Sequence, residues 1–137
     1  MRVLALDIGD VRCGIAASDA TGTISSPVCV LLTAEVVSNA RTWRRVLEDY
    51  EPQMLVCGLP ATLAGEEGPQ AAHIREVALI ISSTCGIPLE FVDERLSSIE
   101  AKRILRRKGL DERRMRGKVD MVAASLFLQT WLEAQKK

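Results

Sequence analysis

Four carboxylates stand where they could do chemistry together. Asp7 closes the apolar run Val3-Leu-Ala-Leu6 and is followed by Gly9. Asp93 and Glu94 close a second run, Leu89 to Val92, and Asp120 sits at the start of the apolar periodicity that opens at Val119. A carboxylate at the mouth of a buried strand is costly unless a metal ion, a cation or a turn of backbone N–H donors compensates it. Asp-x-Gly is also ordinary turn chemistry, and a turn cap is the simpler reading of Asp7 taken alone. Converging acids say more. At ~4 Å and an effective dielectric near ~20, each carboxylate pair repels by about 4 kcal/mol. Such a set takes up protons or recruits a hard dication, and oxygen-only ligands suit Mg²⁺ or Mn²⁺. One or two such ions activate water and stabilise the leaving oxygen of a phosphodiester.

Whether the acids meet depends on the elements that carry them. Residues 2–7 read as a buried strand, Asp10-Val11-Arg12 as a tight turn, and Cys13 to Ser18 as a returning strand. Asp19 to Gly22 is a second turn, and a third strand spans Ile24 to Leu32, which makes an antiparallel meander. Val36, Ala40, Trp43, Leu47 and Tyr50 recur at the helical period up to Pro52. Met54 to Cys57 is a fourth strand, closed by Gly58-Leu-Pro60. After the loop 61–69, Pro69 opens a helix marked by Ile74, Val77, Ala78 and Ile81 and ended by Cys85-Gly86.

Leu89 to Val92 is the fifth strand. Ser97-x-x-Glu100 is a capping box that starts a helix to about Lys108. A basic connector, Asp111 to Lys118, leads to a last helix whose stripe is Val119, Val122, Ala123, Leu126 and Thr130. The order βββ-α-β-α-β-α-α describes one α/β domain over residues 1–137, a mixed five-stranded sheet with helices on both faces. Right-handed crossovers set the fourth strand beside the first and the fifth beyond it. The C-terminal ends of these three strands then share the edge where α/β sheets bind ligands. Asp120 reaches that edge if the last helix packs on the sheet.

Formal net charge is zero, with 18 basic and 18 acidic residues, but the charge is segregated. Ten Lys/Arg and only three Asp/Glu lie between Arg95 and Lys118. A charge run is commonly just a solvated helix face. Placed directly after Asp93-Glu94, this one suits a polyanion held near an acidic, metal-binding centre. Cys13, Cys29, Cys57 and Cys85 are far apart, and His73 is the single histidine, so no zinc site fits the usual spacings. The expectation is reduced thiols in a cytoplasmic protein without leader or membrane span. At 4% aromatics, the chain lacks the stacking platforms of general single-strand binders.

Asp7-x-Gly9-x-x-Arg12-x-Gly14 with Ala17-Ser18-Asp19 resembles the opening block of the YqgF-type (RuvX-like) family. Gly58-Leu-Pro60 with Gly65, Gly68, Gln70 and Ala71 is similar to its second block. Asp93-Glu94-Arg95-Leu96-Ser97-Ser98 with Ala101 is similar to the third, and Asp120 with Ala123-Ala124 to the fourth. The resemblance covers the whole chain. It implies a ribonuclease H-like fold and a metal-dependent nuclease that trims the 5′ end of pre-16S ribosomal RNA, or a Holliday junction resolvase acting on branched DNA. It also implies that Asp7, the Asp93-Glu94 pair and Asp120 form the catalytic and metal-binding set for Mg²⁺ or Mn²⁺. Strand alternation sends Asp93 and Glu94 to opposite sides, and which of them faces the metal stays open. The chain departs from the family pattern at Asp10, Val11 and Cys13, and the acid at 10 makes that turn a poorer phosphate holder.

Other residues carry two readings each. Arg12 either pairs with a surface acid or contacts a phosphate beside Asp7. Arg95 is either a counter-ion for the acidic pair or a substrate contact. Arg106, Arg107, Lys108, Arg113, Arg114, Arg116 and Lys118 form a collective nucleic-acid surface. The 59–69 loop is a plain connection or admits a backbone phosphate. His73 reads as a surface residue, and Trp43 and Trp131 as packing residues. The expected partners are pre-16S rRNA or branched DNA, with a ribosomal particle as further partner. A homodimer goes with the branched-DNA reading, because a four-way junction is two-fold symmetric. Two other classes compete with the nuclease: an actin- or sugar-kinase-like phosphate binder, which needs a second domain, and a non-catalytic ribosome-associated binder.

Overall fold

The run Val3-Leu-Ala-Leu becomes the central strand of a mixed sheet because it is apolar on both faces and is buried on both. A computed structural model of the chain describes residues 1–60, 68–94, 97–115 and 117–136. Five strands, β1 (Val3–Ile8), β2 (Arg12–Ser18), β3 (Ser25–Leu32), β4 (Met54–Leu59) and β5 (Leu89–Asp93), hydrogen-bond in the order β3-β2-β1-β4-β5. The first three form the antiparallel meander, whereas β4 and β5 join β1 in parallel. This is the mixed sheet and strand order expected from the sequence. Pro27, which cannot donate to a ladder, sits on edge strand β3, where the pairing slips between Ile15 and Ala16.

Helices cover both faces: α1 (Thr33–Val37), α2 (Arg41–Tyr50) and α3 (Pro69–Cys85) on one, and α6 (Val119–Gln135) on the other. α4 (Ser97–Arg107) packs on α6, and α5 (Glu112–Met115) adds Met115 to that contact. Side-chain alternation divides β1, β2 and β4 between two cores. Leu4, Leu6, Ile8, Cys13, Ile15, Leu55 and Cys57 meet Trp43, Val46, Ile74 and Ile81. Val3, Ala5, Ala16 and Val56 meet Ala124, Phe127, Leu128 and Trp131 of α6. Helix α6 is tied at both edges of the sheet. The Ser25 hydroxyl donates to the Ser125 carbonyl (2.5 Å), and Gln129 bonds the backbone of Thr23 and Ser25. At the other edge the Trp131 indole N–H donates to Glu90 Oε2 at 2.8 Å.

Three expectations change. The helix read across Val36 to Tyr50 is two helices, because Asn39 adopts a left-handed φ of 57° and Ala40 is extended. The basic connector contains α5, whose Arg114 N–H is capped by Asp111 Oδ1 at 2.9 Å. The buried stripe of α6 is centred differently from the one the sequence predicts. Thr130 is exposed and Leu126 half-buried, while Phe127, Leu128 and Trp131 face the sheet and Val122 and Ala123 face α4. Burial on two sides blurs the helical period. Trp43 and Trp131 are packing residues as expected, and His73 is exposed. All four cysteines are free thiols. The Ser97 side chain and the loop 61–67 lie outside the described residues. Among those residues no helix is long and apolar enough to cross a membrane.

Candidate active site

Asp7 is the last residue of β1 to face α6, one pleat beyond Val3 and Ala5. Its antiparallel partner is Gly14. On its other side Leu6 pairs with Cys57, which sets Gly58 in the same row. A carboxylate between two glycines has open space on both sides. The space is used. A Cβ on Gly14 would collide with the backbone carbonyl of Asp120 and stand 2.6 Å from the Met121 nitrogen, so only glycine lets the first turn of α6 lie on β2. A Cβ on Gly58 would stand 2.7 Å from Glu94 Oε2 and 2.7 Å from the Phe127 ring. Glu94 is held in place by its backbone N–H, which donates to the Leu59 carbonyl (3.1 Å) and extends the β4–β5 ladder by one residue.

The structure thus brings Glu94 to Asp7 and sends Asp93 elsewhere. Glu94 and Asp7 are joined by a side-chain hydrogen bond, and Asp120 lies close enough to act on both. Asp93, on the opposite face of β5, is exposed. The Asp7 carboxyl is pushed up to about 9, first by burial, then by the charge and hydrogen bond of Glu94 and by Asp120. Glu94 is also raised, by burial and by the charges of Asp93 and Asp120, against the hydrogen bond from Asp7 that lowers it. Both carboxyls are thus pushed toward the protonated form, and the hydrogen bond between them favours a proton held by the pair. Burial raises Asp120 as well, while the neighbouring Arg12 guanidinium pulls it back down.

The β1–β2 hairpin is braced at its tip. Gly9 N–H donates to the Arg12 carbonyl (2.8 Å), and the Thr33 hydroxyl and N–H donate to Gly9 O and Val11 O, each at 2.8 Å. On the reverse side of the sheet, burial and the nearby carboxylates push the Cys13 and Cys57 thiols up, so neither is a thiolate. Arg106, Arg107, Lys108, Arg113, Arg114 and Lys118 are all exposed, on α4, α5 and their connections, the layer that packs on α6. Arg95 and Arg116 lie outside the described residues. Sequence reasoning did not single out Gly14, Gly58 or Thr33 for the site. The signal for the glycines was their register opposite and beside Asp7.

Among the described residues, no group of three or more His, Cys, Asp or Glu is close enough to hold a metal ion by itself. The donor chemistry nonetheless fits a hard dication. Mg²⁺ is commonly bound by one or two carboxylates plus waters and substrate phosphates rather than by an all-protein cage. A half-buried pair of carboxyls in contact is such a half-built site.

Among solved structures, the chain is similar to Thermus thermophilus RuvC in complex with a Holliday junction substrate: TM-score 0.59, 14% identity, covering 99% of this chain and 96% of that one. It is similar also to the fowlpox virus resolvase in complex with Holliday junction DNA: TM-score 0.57, 12% identity, with full coverage of both chains. At these identities the likeness defines the fold, which is of the RuvC-like, ribonuclease H-like class. The family model RuvX, described as Holliday junction resolvase, matches residues 1–134. Relatives named "Putative pre-16S rRNA nuclease" match as well. The one from Chloroflexus aurantiacus is 37% identical over 98% of this chain and 88% of its own. The one from Anaeromyxobacter sp. (strain K) is 39% identical over 97% of both. The chain belongs to the RuvX family.

Proposed function

We propose that this chain is a metal-dependent nuclease that hydrolyses phosphodiester bonds in the 5′ region of pre-16S ribosomal RNA. The observation that carries the reading is the Asp7–Glu94 contact, two half-buried carboxyls held together between Gly14 and Gly58 with Asp120 beside them. Asp7 and Glu94 are the proposed ligands, Asp120 completes the set, and exposed Asp93 is left out of it. A divalent ion there supplies Lewis acidity toward the phosphodiester and the charge that lets Asp7 ionise. Arg12 opposes the effect of burial on Asp120 and is the proposed contact for a substrate phosphate. The basic surface of α4 and α5 orients the strand across the α6 side. Function as one ribonuclease H-like domain in the cytoplasm, with the ribosomal particle as partner, belongs to the same reading.

The RuvC-like fold and the family's description favour a second reading, resolution of branched DNA by a homodimer. One assay separates the two: purified protein on pre-16S-like RNA and on a four-way DNA junction, with Mg²⁺, Mn²⁺ or EDTA. Cutting of the RNA is expected, lost in EDTA and reduced by ~10³-fold or more in Asp7→Asn and Asp120→Asn. Undiminished cutting by either variant would reject the carboxylate site, and cutting of the junction alone would select the DNA reading. Mn²⁺ is expected to raise the Tm of the wild type and not of Asp7→Asn, a readout independent of turnover.

A further inference from the structure

Helix α2 carries its charges the wrong way round. A helix N-terminus is the positive end of its dipole and favours acids, and the C-terminus favours bases. Helix α4 obeys, with Glu100 in its first turn and Arg106 and Arg107 in its last. Helix α2 has no acid in its first turn and no base in its last. Arg41, Arg44 and Arg45 occupy its first half, while Glu48 and Asp49 stand near its end. No side chain caps its first turn either.

The three arginines are exposed, and among the described residues none makes an ion pair, although Arg44 and Glu48 are spaced for one. The nearest acid of α1 is engaged elsewhere. Glu35 accepts from the Thr42 hydroxyl at 2.7 Å and from the Leu32 N–H at 3.0 Å. Arg41, Arg44 and Arg45, with Glu48, line an open cleft of about 570 Å³. Core packing explains none of this, because Trp43 and Val46 are the α2 residues buried against the sheet. Three guanidiniums against one carboxylate on the same helical face, in a field that repels them, suit an anion with oxygens for bidentate contact.

We propose that the first half of α2 is a second binding surface for the phosphate backbone of nucleic acid, on the face of the sheet opposite the carboxylates. It rests on the reading of the chain as a nucleic-acid enzyme and gives that substrate a second point of attachment away from the bond that is cut. An anchor of this kind lowers KM and leaves the chemical step alone.

The test is RNA binding in EDTA, followed against salt, for the wild type, for Arg41→Gln/Arg44→Gln, and for a same-charge control, Arg2→Gln/Lys136→Gln. The α2 pair is expected to lower the slope of log K against log salt by roughly 1.4 to 1.8, at ~0.7–0.9 per phosphate contact. The control is expected to move it by less than about 0.5. With Mg²⁺ present, the α2 pair raises KM and leaves kcat within about two-fold. Its Tm rises or holds, since two cations leave the positive end of a helix, so lost binding cannot be put down to unfolding. Equal slopes for the α2 pair and the control would overturn the proposal while leaving the nuclease intact. A lowered slope in a protein that cuts nothing would sustain the binding surface and remove the nuclease reading. Failure of the wild type to bind nucleic acid would overturn both.

Discussion

The two faces of the sheet are made from the same strands and built on opposite rules. Toward α1, α2 and α3, the strands present Leu4, Leu6, Ile8, Ile15 and Leu55, which bury volume against Trp43 and Ile81. Toward α6, the same strands present Val3 and Val56, and then Ala5, Ala16, Gly14 and Gly58 with Asp7 among them. One face is filled to hold the fold together. The other is kept small around Asp7 so that a helix backbone and two carboxylates can come close. The lesson is that alternation of period two lets one strand serve both ends, with Leu6 and Asp7 adjacent in sequence and working on different tasks.

The largest stability effect should come from the filled face. Trp43→Ala removes a wholly buried ring and is expected to cost about 3–5 kcal/mol in urea unfolding. Cleavage per folded molecule should stay within about two-fold, and a collapse of kcat would blur the division between faces. On the small-residue face, Gly14→Ala forces a methyl into the Asp120 backbone, and the expected cost is about 1–3 kcal/mol. Cutting should fall with it, since Asp120 must move. Full activity in Gly14→Ala would mean that Asp120 has no part in the site.

Asp7→Asn sharpens the comparison in the other direction. In EDTA it should raise Tm, and with Mg²⁺ it should abolish cleavage, because it replaces a carboxyl that the fold keeps from ionising. The sign follows from the carboxyl's position near 9 in the folded chain against 3.8 when free. Between those values the folded form keeps a proton that the unfolded chain releases, so stability is greatest below ~4 and declines as pH rises toward ~9. The Tm gap between Asp7→Asn and the wild type should therefore widen from pH 5 to pH 8. A constant gap would place the proton on another group.

Much of this was legible in the residues. The meander, the alternation of helix and strand after it, and the crossovers specify the order β3-β2-β1-β4-β5 and bring the ends of β1 and β5 to one edge. The break after Val37 was hidden, since Val36 and Trp43 keep a helical spacing across it. A left-handed Asn39 and a hydrogen bond from Ala40 N to Glu35 O make the turn, and neither shows in an apolar pattern. The choice between Asp93 and Glu94 was hidden for a different reason. It depends on where β5 stops pairing with Leu59, one residue later than apolar character suggested. Gly14 and Gly58 read in sequence as turn or motif glycines, and their role appears only when α6 is laid over them.

Helix α6 is strapped across the sheet at both ends of its width, to Ser25 and Thr23 at one edge and to Glu90 at the other. It cannot peel off by opening one edge alone, because the far strap would still hold its register. Amide protons in the middle of α6 should then exchange with deuterium only when the whole molecule unfolds, at the same free energy as those of β1. On the microsecond-to-millisecond scale on which lids and loops move, Asp120 would ride on the stiffest part of the molecule.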